Sequence, residues 1–416
     1  MIIPREKYLR QLIAAKGNGM VKIVTGIRRS GKSFLLMTLF HRHLIEQGVQ
    51  ENRIIEISLD NRKSRRFRNP DTLLDYIDSR VGGDGQIHYV ILDEVQLVED
   101  FVEVLLSLMH DKRLDVYVSG SNSKFLSKDV VTEFRGRGDE IHLYPLSFGE
   151  YYAAVGGDKR DAWNDYYTYG GLPQVLLTED EEKKVNYLTD LYELTYLKDI
   201  VERNHLRNVE GLRTLIRILA SSIGSPTNPK RIADTFRSVE NVRIKDSTIR
   251  NYLSYLQDAF LIEEALRYDV KGRRYIGTET KYYFADMGLR AAILNLRQQE
   301  ETHIMENVIY NELRMRGYRV DVGLVETWTT NDEGRNIRQP LEIDFVVNKG
   351  AERIYIQSAY RMSSEEKERQ EKRSLLGTND SFRKIIITYD DIKRKTDEQG
   401  IVTISLLDFL LDPHSL

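Results

Sequence analysis

Gly26-Ile27-Arg28-Arg29-Ser30-Gly31-Lys32-Ser33 decides how this chain folds. The stretch fits G-x-x-x-x-G-K-[S/T]. It lies between an apolar strand, Val21-Lys22-Ile23-Val24-Thr25, and an amphipathic helix expected over 33–47. Its glycines let the backbone curl until several N–H groups face one point, and the following helix adds the positive end of its dipole there. That is a phosphate cradle. Lys32 is placed to reach the β- and γ-phosphates of ATP, Ser33 to hold Mg²⁺, and the run from Gly26 to Phe34 to line the nucleotide.

His88-Tyr89-Val90-Ile91-Leu92-Asp93-Glu94 is the second signal. An apolar run of this kind is a buried parallel strand. Its two acids fall at the C-terminal end, where α/β sheets bind ligands. Asp93 is expected to accept from Ser33 or from a water on Mg²⁺. Glu94 is expected to polarise the attacking water. Acids also favour the first turn of a helix, and the upstream loop is what turns these two toward chemistry.

Between residues 1 and 147 strand and helix alternate. Strands are expected at Val21–Thr25, Ile54–Leu59, Tyr89–Leu92, Val116–Ser119 and Ile141–Leu143, with helices at 33–47, 70–80 and 97–110. The pattern predicts a parallel sheet with helices on both faces. The extra strand at 53–60, between the loop and the acidic strand, is the order of P-loop ATPases with a catalytic glutamate (the ASCE branch). The fourth strand ends in Ser119-Gly120-Ser121-Asn122-Ser123, where Ser121 or Asn122 can reach the γ-phosphate or simply cap a helix. Glu133-Phe134-Arg135-Gly136-Arg137-Gly138 follows. Arg135 or Arg137 suits a charge clamp offered to a neighbouring subunit's nucleotide, which implies a homo-oligomer. Arg28 and Arg29 are rivals for that role.

Residues 148–205 are helical and Tyr-rich, broken at Tyr169-Gly170-Gly171-Leu172-Pro173, and are expected to form a lid. Residues 206–295 give helix, helix, helix and hairpin, the order of a winged helix-turn-helix. Asp246–Asp258 would be the recognition helix, and the wing would join Ala265–Asp269 and Lys281–Ala285 around Lys271-Gly272-Arg273-Arg274. This segment holds 15 Lys and Arg against 10 Asp and Glu, a local excess of +5 in a chain of net charge −3. Arg243, Lys245, Arg250, Lys271, Arg273 and Arg274 are therefore the candidates for contact with double-stranded DNA, through 243–274.

Residues 296–416 return to α/β. Glu306 on a helix, Asp344 in Leu341-Glu342-Ile343-Asp344-Phe345, and a strand at Ile354–Tyr360 match the layout of a restriction-endonuclease-like (PD-(D/E)xK) domain. In that layout the acids bind Mg²⁺ and E-x-K on the second strand supplies a water-positioning lysine. Here that triplet is Gln357-Ser358-Ala359, so nuclease activity is not expected.

At 416 residues the chain needs several cores, and with no Cys it excludes disulfides, zinc–thiolate sites and thiol catalysis. No apolar run reaches a membrane span, and the N-terminus lacks the apolar core of a signal peptide, so a cytoplasmic protein is expected.

Pro4-Arg5, GIRRSGKS, VILDEVQ, SGSNS, the Arg135–Arg137 loop with Tyr144-Pro145-Leu146-Ser147-Phe148, YGGLP and EIDF together resemble bacterial and archaeal AAA-type ATPases with a DUF4143 C-terminal region. The resemblance spans the chain. It implies an AAA-like nucleotide domain, a winged helix, a nuclease-like C-terminal domain, and an arginine finger at Arg135 or Arg137. The expected function is Mg²⁺-dependent ATP hydrolysis coupled to action on DNA. The alternative is a nucleotide-gated protein-interaction switch, in defence or toxin regulation, with a protein partner and no DNA.

Overall fold

A computed structural model describes residues 2–83, 85–120, 136–239, 243–297, 300–330 and 336–416. Asn122 and Arg135 lie outside the described residues. The chain divides into two compact units, Met1–Pro145 with Asp258–Phe260, and Leu146–Gln257 with Leu261–Leu416.

The first unit is built on β1 (Val21–Thr25), β2 (Ile54–Ser58), β3 (His88–Asp93), β4 (Leu114–Ser119) and β5 (Gly138–His142), all parallel, in the order β2-β3-β4-β1-β5. Alternate residues of each strand serve opposite faces. Val90 and Leu92 of β3 join a core with Ile57, Leu73, Ile77 and Leu105. Tyr89 and Ile91 join the other core, with Leu12, Leu36, Phe40 and Leu44. Both faces are covered, so the inner strands β1, β3 and β4 are mostly apolar, while the edge strand β5 is polar.

One charge, Lys22, is wholly buried inside β1. Its ammonium is paired with Asp115 of β4, whose carboxylate also accepts from Tyr117 Oη (2.9 Å) and the Gly17 N–H (3.0 Å). A buried charge is tolerable only when paired and hydrogen-bonded in this way.

The helix after the loop, expected over 33–47, runs from Lys32 to Glu46 but widens into a π-helical turn at Leu35–Phe40. The helix expected at 97–110 starts only at Phe101, because Asp100 takes a left-handed conformation (φ 48°) after a short 3₁₀ turn. The helix at Pro70–Arg80 has the expected bounds and is capped by Asn69.

The second unit begins with a capping box, in which Ser147 and Glu150 satisfy each other's backbone at the start of the helix Phe148–Val155. Tyr169-Gly170-Gly171 wraps a buried carboxylate: Asp286 accepts from the Gly171 N–H (2.7 Å), and a Cβ at Gly170 would stand 2.3 Å from Asp286 Oδ1. Only glycine fits that approach. Helices Val209–Ser221, Pro229–Val239 and Asp246–Asp258 follow, then β6 (Ile262–Asp269) and β7 (Arg274–Phe284). The strands are longer and the connecting loop shorter than expected, because cross-strand pairing continues to Asp269 and Arg274. A bridge between Thr227 and Thr280 ties the segment before the second helix to β7.

This hairpin is not free-standing. β6 pairs in parallel with β8 (Arg319–Thr330), which places the hairpin at one edge of an eight-stranded sheet. The rest of that sheet is β9 (Asn336–Lys349), β10 (Glu352–Ala359), β11 (Arg383–Thr388), β12 (Lys395–Thr396) and β13 (Ile401–Ser405), in the order β12-β13-β11-β10-β9-β8-β6-β7. No helix among the described residues is long and apolar enough to cross a membrane.

Candidate nucleotide-binding site

The C-terminal ends of β1, β3 and β4 define the site, and register fixes what meets there. Val24 lies opposite Ser119, and Ser58 opposite Asp93. At the exit of β1, Gly26 has φ 134°, and a Cβ there would sit 2.1 Å from the Leu143 carbonyl oxygen. Gly31, at φ 98°, makes the turn into the helix. No side-chain-bearing residue fits the first position, and the second is strained for any.

Lys32 is buried, and its Nζ donates to the carbonyls of Gly26 (3.0 Å) and Ile27 (3.1 Å). Burial pushes its ammonium down to about 8, against the pull of Glu94 and Asp93 and with Arg28 adding to the fall. Ser33 and Phe34 face outward and Ser30 is buried. Arg28 is half-buried, and Arg29 is exposed in a left-handed conformation (φ 66°).

Asp93 is buried at the end of β3, and its carboxylate accepts from Ser119 and from Ser33. Burial raises its pKa, and the two hydroxyls counter that rise. Glu94 follows in a left-handed conformation (φ 55°). That strained backbone, with the Glu94 N–H on Ser119 Oγ (3.1 Å), turns its side chain out of the strand, where Gln96 Nε2 donates to it. Lys32, Ser33, Asp93 and Glu94 are thus brought together.

Arg137 is not brought to them. The Val21 N–H donates to the Arg137 carbonyl (3.1 Å), which puts this exposed arginine at the start of β1, opposite the end that carries the loop. Glu306 and Asp344 converge within the second unit, each reaching Lys281, while Gln357 accepts from Ser374 Oγ (3.3 Å).

Three residues with no role in the sequence analysis matter here. Ser119 joins Asp93 to the Glu94 backbone. Gln96 holds the Glu94 carboxylate. Arg5, 4% exposed, donates to the carbonyls of Ser30 (3.3 Å), Tyr144 (2.7 Å) and Pro145 (3.4 Å), bolting the tip of the loop to the chain beyond β5. The one sequence signal for Arg5 was its place behind Pro4.

A five-stranded parallel sheet with this loop and these acids is a P-loop ATPase fold. Residues 18–152 match a family described as an AAA domain, and residues 160–300 match a domain of unknown function, DUF8612, where the motif resemblance pointed to DUF4143. The Walker-type ATPase PABY2304 of Pyrococcus abyssi shares the fold, with a TM-score of 0.50 and 16% identity over 70% of this chain and 96% of that one. An uncharacterized protein of Haemophilus influenzae is 32% identical over 415 residues, 99% of each chain, and this chain belongs to the same family. The uncharacterized protein MJ1544 of Methanocaldococcus jannaschii is 26% identical over 89% of this chain and 82% of its own length.

Proposed function

We propose that the protein is an Mg²⁺-dependent ATPase that uses its nucleotide state to control the helix–hairpin segment of its second unit. The convergence of Lys32, Ser33, Asp93 and Glu94 at one edge of a parallel sheet carries this reading. The Gly26–Ser33 backbone and Lys32 bind the phosphates of ATP. Ser33 and Asp93, already hydrogen-bonded to each other, fit Mg²⁺, which supplies charge neutralisation between the β- and γ-phosphates when bound. Glu94 orients the water. Arg5 and Ser119 are positioning residues. Asn122, at the end of the fourth strand, is the candidate γ-phosphate contact. Arg135 or Arg137 acts on a neighbouring copy, and for Arg137 the opposite end of β1 makes service in trans the reading that fits.

Coupling is supported by Asp258–Phe260, the link between the helix Asp246–Asp258 and β6, which packs as part of the first unit. The Phe260 ring lies 4.8 Å from His142, whose Nδ1 is 3.0 Å from Thr25 Oγ1, one residue before Gly26.

The controlled element is read as a winged helix, with a lid at 148–205, the winged helix at 206–295 and an inactive nuclease-like domain at 296–416. Three helices, a hairpin and the Thr227–Thr280 bridge support it, and Arg243, Lys245, Arg250, Lys271, Arg273 and Arg274 are all exposed. Duplex DNA is the proposed partner. The alternative, a protein-interaction switch, is favoured by Lys271, whose Nζ is tied to the Glu326 carbonyl (2.9 Å) and so is less available to phosphate.

The discriminating experiment measures ATP turnover with and without duplex DNA. Stimulation that is lost in Arg273→Ala/Arg274→Ala supports DNA coupling. Turnover indifferent to DNA, with DNA binding unchanged in that variant, moves the function to a protein partner.

A further inference from the structure

The nuclease-like layout implies a divalent cation held by Glu306 and Asp344. The residues present do not fit one. Lys281 of β7 is 3% exposed, and its Nζ lies 2.9 Å from Glu306 Oε1, 2.6 Å from Glu342 Oε1 and 3.8 Å from Asp344 Oδ1. An ammonium stands where the metal would. We propose that Lys281 is the resident cation of this acidic trio, so that the C-terminal centre is a metal-free fastening of the β6–β7 hairpin rather than a metal site.

Four further observations support the assignment. The two buried acids have protein donors besides Lys281: Tyr283 Oη also donates to Glu306 Oε1 (2.6 Å), and the Ser358 N–H donates to Asp344 Oδ2 (2.8 Å). Gly224 closes over Glu306, since a Cβ there would stand 3.0 Å from Glu306 Oε2. Among the described residues no group of three His, Asp or Glu side chains is arranged to hold a metal ion. The fourth is the path of the hairpin. β6 pairs with β8 only at Arg267–Asp269, and a register shift separates Ala265 from Arg267, so the half of the hairpin bearing Lys281 and Tyr283 departs from the sheet toward the acids.

The chemistry favours this exchange. Two buried carboxylates and a third half-buried one, clustered without a cation, repel one another. A lysine compensates part of that charge, donates to Glu306 and Glu342 while facing Asp344 at 3.8 Å, and cannot dissociate as a metal does. Burial opposes the charge on Lys281, yet Glu306, Asp344 and Glu342 hold its pKa above the ordinary lysine value. Where a nuclease would place the lysine on the second strand, this chain has Gln357-Ser358-Ala359. It carries its lysine on the hairpin, aimed into the acids instead of at a water. The fastening joins the β6–β7 hairpin to the helix Glu301–Met315 and to β9.

The test uses the full chain in an Asp93→Asn background, without nucleotide, so that the P-loop does not contribute metal binding. Mn²⁺ is titrated by calorimetry and melting is followed with and without it. The parent is expected to bind no Mn²⁺ at this centre and to melt at the same temperature in Mn²⁺ or EDTA. Lys281→Met is expected to lower Tm by on the order of 10 °C. It should also gain saturable Mn²⁺ binding that the parent lacks and regain Tm on its addition, and both gains should vanish when Asp344→Asn is added. Lys281→Arg, which keeps the charge if the neutral variant does not fold, should remain folded and indifferent to Mn²⁺. Saturable Mn²⁺ binding by the parent that is lost in Asp344→Asn would overturn the proposal, as would Lys281→Met melting like the parent.

Discussion

Two of the protein's buried lysines, Lys32 and Lys281, each lie near more than one carboxylate, and they are in opposite states. Among the described residues the hydrogen-bond partners of Lys32 are main-chain carbonyls, with Asp93 and Glu94 acting on it as nearby charges. Its charge is poorly compensated and its pKa falls to about 8. Lys281 is gripped by Glu306, Glu342 and Asp344 and its pKa rises. The first arrangement is incomplete without an anion. The second is complete. The difference teaches that residue types alone do not define a ligand site: what matters is whether the protein has already satisfied them.

Breaking the closed site should have the largest effect. Lys281→Met leaves acids uncompensated in the interior and is expected to destabilise the chain by about 3–5 kcal/mol, read by denaturant unfolding of the second unit. At the open site Lys32→Ala should leave the fold intact and weaken ATP binding by on the order of 100-fold, the loss of charged hydrogen bonds to phosphate, read by calorimetry.

Arg5→Ala strips three carbonyls of a buried donor. It is expected to cost about 2 kcal/mol and to lower kcat more than it raises KM, because the loop tip loses its brace while Lys32 remains. Arg5→Lys should restore stability only in part, since one ammonium cannot span three acceptors as a guanidinium does.

The pKa of Lys32 makes a sharper test of openness. The free site sheds its proton above about 8, while the phosphate-bound site keeps it. Binding therefore takes up a proton, and affinity should fall as pH rises above about 8, by up to about tenfold per unit. The sign for stability is opposite. Between about 8 and the ordinary 10.5 the unfolded chain holds a proton that the folded site has shed, so this group raises stability as pH climbs through that window. Lys32→Arg keeps its charge and should flatten the affinity profile. The smallest effect is expected at the hairpin tip, where Arg273→Ala/Arg274→Ala should reduce the salt slope of duplex binding by about 2.

What was readable from the sequence was local. The loop, the acids closing β3, and the alternation of strands and helices each lie within a few residues, and they stand close to the expected bounds, the helix expected at 97–110 starting late at Phe101. What escaped depends on distant partners. Arg5 meets the Tyr144 carbonyl 139 residues away, and Ser119 meets Asp93 26 residues back. No periodicity announces either. Lys281 stood only as the first residue of the wing's second strand, and nothing in an alternating strand reveals the distant acids it meets. The π-helical turn at Leu35–Phe40 has no marker among its apolar residues. Asp286 explains after the fact why Tyr169-Gly170-Gly171 breaks a helix, but a buried carboxylate 115 residues on could not be read from the glycines.

The central claim is that the open site turns over ATP with Glu94 as the water-orienting group. Hydrolysis and nucleotide binding should be measured side by side for the wild type and Glu94→Gln. The account predicts that the variant loses at least about 100-fold in kcat while binding ATP within a few-fold of wild type, because the Gly26–Ser33 backbone and Lys32 are unchanged in it. A variant that hydrolyses ATP at the wild-type rate, or a wild type that binds ATP and never hydrolyses it, would contradict the account.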